Sequence, residues 1–281
     1  MESILFGLLS ALTWGAGDFT GGLASRRVGA YRSVFYAEVI GVIFLGILLL
    51  FTNEPFPDSR SRFFAVLAGM LGSVGLMLLY HSMSVGLMSI AAPVSALLAA
   101  VLPVIVGFFT EGFPGILTFI GFGFALAAVW LISQSNAGGV TNILAHLSDL
   151  KLPLLAGIGF GFYFVFMHQA SRDGGAIWHM AFSRFGGMTL IVAYLLITRS
   201  SWKIETSALP LISLNGILDL GGNFFFIFAS QAGRLDVASV LSALFPGATV
   251  LLAWIFLKER LNRNQWIGVA CALIAIILMT V

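Results

Sequence analysis

Ala24-Ser25-Arg26-Arg27-Val28-Gly29-Ala30 returns 146 positions later as Ala170-Ser171-Arg172-Asp173-Gly174-Gly175-Ala176, with five of seven residues unchanged. Outward from this pair the echo continues at an offset of 147. Gly69, Leu71 and Gly75 recur as Gly216, Leu218 and Gly222, Ser95-Ala96-Leu97 recurs as Ser242-Ala243-Leu244, and Ile120-Gly121 recurs as Ile267-Gly268. A period near half the chain length marks a duplication, and the two copies must share one local design.

Composition says what surrounds the copies. Hydrophobic residues make up 59% of the 281 and charged residues only 9%, against roughly 25% charged in soluble domains, so most of the surface faces lipid. A bilayer core about 30 Å thick needs about 20 apolar helical residues per crossing. Ten stretches qualify: 3–23, 33–52, 63–81, 88–109, 114–133, 153–171, 177–197, 209–229, 236–256 and 264–281. Their apolar runs are continuous, where lipid-facing strands would alternate, so helices are expected rather than a barrel. The first stretch follows Met1-Glu2 and contains Trp14 and Asp18, unlike a basic-flanked signal segment, and is read as a retained helix. Gly17 and Gly21, like Gly157 and Gly161, stand at i, i+4 and clear one helix face for close packing.

Five spans per copy is an odd number. The second copy therefore starts on the opposite side of the membrane, and the halves must be inverted about an axis in the membrane plane. The expected fold is an all-α polytopic membrane protein of ten transmembrane helices in two inverted five-helix repeats, 1–136 and 153–281, joined by a linker at 137–152 rich in turn formers such as Gly138, Gly139 and Asn142. Net charge is +2 with no basic cluster, which excludes nucleic acid as a partner. The single Cys271 lies inside the last helix, which excludes an internal disulfide and a cysteine metal site. No cofactor or metal is expected. The expected partners are a small-molecule substrate and the bilayer; the sequence leaves the oligomeric state open, a monomer included. Nine Lys and Arg residues fall in loops on the side reached after helix 1 and four on the side of the termini, which by the positive-inside rule puts both termini outside.

Several strings in the second half carry a resemblance. They are Ser242-Ala243-Leu244-Phe245-Pro246, then Leu257-Lys258-Glu259-Arg260-Leu261, then Gln265-Trp266-Ile267-Gly268, with Trp14-Gly15 and Asp18-Phe19 in helix 1. Together with the five-plus-five repeat, the chain resembles the drug/metabolite transporter superfamily, EamA type. Lys258 stands where that pattern has glycine. The first-half turn Thr110-Glu111-Gly112 is degenerate, with its proline displaced to Pro93 or Pro103. The resemblance implies export or exchange of small metabolites, such as amino acids, across a bacterial inner membrane. It also implies cytoplasmic termini, opposite to the charge count.

Ionisable groups inside hydrocarbon are costly and need a partner, water or a function. Asp18 in helix 1, Glu38 in helix 2, Arg184 in helix 7 and Asp219 in helix 8 are such groups. Glu38 plus 146 is Arg184, so the two occupy equivalent positions; they either pair across the pseudo-axis or snorkel to separate interfaces. Trp14 and Asp18 share one helical face, as do Asp219 and Asn223. These faces, with Tyr80, Tyr163, Ser95 and Ser242, form the expected substrate-binding set. Asp219, with Asp18 as the alternative, is the expected proton carrier; the competing role for each carboxylate is accepting structural hydrogen bonds. Ser95 and Ser242 would bond across the pseudo-axis, and Phe224, Phe225 and Phe226 would wall the cavity.

The leading expectation is a secondary transporter working by alternating access, since no Walker motif supplies nucleotide energy. The alternative is an intramembrane enzyme acting on a lipid-linked substrate. It lacks a HExxH, GxSxG or paired-aspartate motif to support it, so the chain is not expected to be an enzyme.

Overall fold

The computed structural model describes residues 1–84, 88–132, 151–199, 201–257 and 262–280, and every element longer than a turn among them is helical. The first half holds α1 (Glu2–Val28), α2 (Ala30–Leu49), α3 (Ser59–Ser84), α4 (Met88–Glu111) and α5 (Ile116–Ile132). The second holds α6 (Lys151–Ser171), α7 (Ile177–Ile197), α8 (Leu209–Gln231), α9 (Leu235–Ser242), α10 (Phe245–Leu257) and α11 (Arg263–Thr280). Eight spans are long and apolar enough to cross a membrane, α9 and α10 counting together as one. The helix of α5 has only 17 residues, and α1 is long but carries Asp18 within it and Arg26 and Arg27 in its last turn. The proposed linker falls almost wholly on 133–150, outside the described residues, as do Lys258, Glu259, Arg260 and Leu261.

The repeated heptapeptide is the turn between the first two helices of each half. Gly29 (φ +88°) alone separates α1 from α2, and Gly175 (φ +78°) sits one residue before the cap of α7. Left-handed backbone there is open to glycine at little steric cost, which gives a physical reason for the glycine to stand in both copies. The turn is tighter than the hydropathy suggested: α1 runs to Val28 and α2 begins at Ala30, where the apolar stretches ended at 23 and restarted at 33.

Packing repeats with the halves exchanged. α1 lies along α8 as α6 lies along α3, and α4 lies on α6 as α9 and α10 lie on α1. α3 meets α7 as α8 meets α2, while α2 with α7 and α5 with α11 pair directly across the pseudo-axis. Two glycines show the same exchange at atomic scale. A side chain at Gly69 in α3 would collide with the Ser183 carbonyl of α7, and one at Gly216 in α8 would collide with the Ala37 carbonyl of α2. Gly69 and Gly216 are 147 apart and Ala37 and Ser183 146 apart, so one backbone-to-backbone contact is built twice. Large apolar side chains such as Phe51, Phe109 and Ile197 remain uncovered on the outside, as expected for a surface solvated by acyl chains.

One expectation is corrected. The stretch 236–256 is two helices, broken at Ala243 and Leu244. Pro246 has no N–H for the Ser242 carbonyl and its ring crowds the preceding turn. The chain crosses the gap with tighter i to i+3 bonds, Leu244 N to Leu241 O at 3.2 Å and Gly247 N to Leu244 O at 2.9 Å. The equivalent position in the first half is Ala99, and α4 continues through it.

Candidate functional site

A cavity of about 700 Å³, its mouth included, lies where the two halves meet. α1, α2 and α3 line it from one half, and α6, α7, α8 and the start of α10 from the other. Phe245, the first residue after the break in the ninth span, forms part of its wall.

Arg184 is the hub. It comes from α7, is 5% exposed, and places Nη1 2.6 Å from Glu38 Oε2 of α2, while Nη2 donates to Asp219 Oδ2 of α8. The Ser73 hydroxyl of α3 donates to the other Glu38 oxygen at 3.4 Å. Asn223 sits one turn beyond Asp219 and donates to its carboxylate at 3.1 Å, and Tyr163 of α6 donates its hydroxyl to the Asn223 side-chain oxygen. A continuous polar chain thus runs Tyr163, Asn223, Asp219, Arg184, Glu38, Ser73 through five helices and both halves. The buried guanidinium offsets two carboxylates that would otherwise be stranded, and hydrogen bonds from Ser73 and Asn223 add to it.

The sequence-selected residues divide. Trp14, Asp18, Tyr163, Asp219, Asn223, Glu38 and Arg184 all line the cavity. Trp14 stacks on Phe164 with ring centroids 5.5 Å apart and on Phe226 at 6.1 Å. Asp18 stands apart: Asp219 bears on it electrostatically, but among the described residues no hydrogen bond or ion pair reaches it.

Tyr80, Ser95 and Ser242 do not reach the cavity. Tyr80 is fully buried, with its hydroxyl against Gly21 and hydrogen-bonded by the Asn215 side chain. Ser95 does not bond across the pseudo-axis; it donates back to Ala91 O at 2.8 Å and Ala92 O at 3.0 Å in its own helix, a common use of a membrane serine. The Ser242 hydroxyl is buried without a hydrogen-bond partner among the described residues. The Phe224–Phe226 run packs elsewhere: Phe226 stacks on Phe164 at 4.5 Å, and Phe225 on Phe6 at 6.4 Å. The aromatic wall is instead Phe160, Tyr163, Phe164 and Phe245. Ser73, Phe160 and Phe245 escaped sequence reasoning, since one serine in α3 and two phenylalanines among 26 carry no distinguishing pattern.

A second set of charges joins the halves on the side of the termini. Arg234 donates to Asp236 at 2.8 Å and to the Glu111 carbonyl at 3.0 Å. The Glu111 carboxylate accepts from Leu235 N at 3.2 Å, capping α9, and lies 3.5 Å from His168 Nε2. Glu54, in the loop before α3, accepts from Ala176 N at 3.0 Å and Ile177 N at 2.9 Å, capping α7 of the opposite half. Gln231 ties α8 to the α6–α7 turn through Ser171 O and Gly175 O. Among the described residues no group of three His, Cys, Asp or Glu side chains is placed to hold a metal.

The profile of the EamA-like transporter family matches residues 1–134 and again 149–281, once for each half. The chain belongs to that family. It is an integral multi-pass membrane protein and a transporter of the drug/metabolite superfamily. Other likenesses carry less. An uncharacterized protein of Methanocaldococcus jannaschii is 30% identical over 94 residues, 34% of this chain and 66% of that protein. A crystal structure titled only as that of a protein superposes with a TM-score of 0.78 over 99% of this chain and 96% of the other at 16% identity, which speaks for the fold alone.

Proposed function

We propose that this EamA-like protein is a secondary transporter that moves a small polar or amphipathic metabolite by alternating access, with the cavity around Arg184 as the binding site. One observation carries the reading: Arg184 bridges Asp219 of its own half and Glu38 of the other at the cavity wall. A charge cluster shared by two pseudo-symmetric bodies is sensitive to their relative tilt, so ligand or proton bound there biases the same two-state element that exposes the cavity to either side.

Proton coupling belongs to the same reading. Asp219 and Asp18 were the two candidates from sequence. Asp219 is held by Arg184 and Asn223, so its negative charge is already answered. Asp18 lacks such partners, and a lone carboxylate within a membrane span is favoured by a proton or a cation beside it. Asp18 is therefore the proposed carrier.

Vesicles reconstituted with the protein test this. A pH gradient should drive uphill flux of substrate in wild type. Asp18→Asn should lose that driven flux while keeping whatever exchange needs no proton, and Asp219→Asn should impair both by loosening Arg184. Flux indifferent to the gradient in wild type would reduce the protein to a facilitator or exchanger.

A further inference from the structure

We infer that the break between α9 and α10 binds a small monovalent cation, sodium above all, through neutral oxygens alone. Freed carbonyls and unpaired hydroxyls meet there. Pro246 offers the Ser242 carbonyl no helical donor, and the neighbouring amides turn to nearer acceptors, Leu244 N to Leu241 O at 3.2 Å and Gly247 N to Leu244 O at 2.9 Å. The carbonyls of Val240, Ser242 and Ala243 thereby lose the i+4 donors that an unbroken helix supplies. They stand at the C-terminal end of α9, the negative pole of its dipole.

The hydroxyls belong to Ser239 and Ser242. Both residues are 0% exposed, and neither hydroxyl has a hydrogen-bond partner among the described residues. Three residues apart at the end of α9, they share one helical face beside the break. Other serines in the spans behave differently: Ser82, Ser171 and Ser230 donate back to a carbonyl three or four residues earlier. Ser95 makes the sharpest contrast. It is the repeat equivalent of Ser242, it stands in the unbroken α4, and it donates back to Ala91 O at 2.8 Å. A buried hydroxyl that forgoes this bond is costly unless its oxygen serves another partner.

The donor set decides the class of ion. Carbonyl and hydroxyl oxygens suit a hard cation, and calcium or magnesium would call for carboxylates. Asp236, the acid of α9, is already held by Arg234 and by Val237 N. A single charge facing neutral oxygens at the end of a half-helix is how broken transmembrane helices accommodate sodium. The site also has something to act on. Thr249 of α10 donates to the Gly15 carbonyl of α1 at 3.0 Å, and a side chain at Gly15 would collide with the Phe245 carbonyl, so α1 is packed directly against the start of α10. An ion drawing the loose carbonyls together would fix α10 against α9, and with it the part of the cavity wall that Phe245 forms. None of this depends on the transport reading.

The test is thermal unfolding of the purified full-length protein in detergent at constant ionic strength, with sodium chloride replaced stepwise by potassium chloride or by N-methylglucamine chloride. Sodium is expected to raise Tm along a saturating curve, as a ligand of the folded state does, potassium to act more weakly and N-methylglucamine not at all. Ser242→Ala should move the midpoint of the sodium curve up by about tenfold or more, the effect of losing one contact to a charged group. Ser242→Thr keeps the oxygen and should keep much of the response. Ser95→Ala, at the equivalent place in α4, should leave the sodium curve unchanged. If Ser242→Ala loses cooperative unfolding, Ser239→Ala decides in its place. The inference is overturned if the three chlorides give the same unfolding curves, which would leave the hydroxyls to water, or if the alanine variant follows sodium as wild type does.

Discussion

Arg184 and Arg234 are both held by acidic groups of both halves, yet they live in different solvents. Arg184 is 5% exposed at the central cavity and answers two carboxylates through direct ion pairs. The Arg234 side chain is 29% exposed at the membrane edge, and besides Asp236 it leans on the backbone carbonyls of Glu111 and Gly112. Desolvation makes the first arrangement all or nothing, because a buried charge without its partner is far costlier than a paired one. The second is cushioned by water and by redundant acceptors. Position in the bilayer, rather than residue type, thus decides which cluster can couple to a ligand and which one fastens loops.

The sharpest way to break the comparison is to remove each arginine. Arg184→Met should lower stability by about 3–5 kcal/mol, since it strands Glu38 and Asp219, and should abolish transport. Thermal unfolding in detergent and vesicle flux would measure the two effects. Arg234→Ala should cost about 1–2 kcal/mol, as Asp236 keeps its bond from Val237 N and the site is partly wet, and it should leave measurable flux. Equal losses from both substitutions would contradict the distinction. Salt offers a milder probe: raising ionic strength should erode whatever Arg234 contributes and leave the Arg184 contribution nearly unchanged.

Smaller effects are expected from the helix caps on the same side. Glu54→Gln should reduce stability by about 0.5–1 kcal/mol, because the α7 N-terminus loses its anion but keeps an acceptor. Asp58, which accepts from Ser61 N at 2.7 Å at the start of α3, has its carboxyl held below the usual range by the Ser61 backbone and hydroxyl. Because the folded value is the lower one, its contribution is present above the unfolded value near ~4 and fades as pH falls through that value and then the folded one. Asp58→Asn should remove this acid-side slope from a titration of thermal stability. Both effects should be insensitive to substrate, unlike those at Arg184.

The same contrast explains what could be read in advance. The equivalence of Glu38 and Arg184 was legible from the 146-residue offset, but pairing and separate snorkelling stood level until the fold brought them together; Asp18 and Asp219 stood out because charge is rare inside apolar stretches. The repeat put Gly29 and Gly175 at equivalent positions, but their positive φ between helices came from the structure. Residues whose role depends on three-dimensional crowding were not legible. Pro246 was visible, but that it breaks the ninth span and swings Phe245 into the cavity depends on how the helix is rejoined. Tyr80 and Ser95 resembled site residues by type, yet burial against Asn215 and an intrahelical bond absorb their polar groups. Glu54 and Glu111 looked like ordinary loop acids, and only the fold brings them over helix ends of the opposite half.

The most direct test of the central claim, that one cavity between inverted halves serves both sides of the membrane, uses the chain's single cysteine to advantage. With Cys271→Ala as background, Ser183→Cys places a lone thiol on the cavity wall. A membrane-impermeant thiol reagent is then applied to sealed vesicles from the outside or trapped within, with and without substrate and a pH gradient. Labelling from both sides is expected, with substrate or gradient shifting the balance between them. Labelling from one side alone under every condition would contradict alternating access at this cavity.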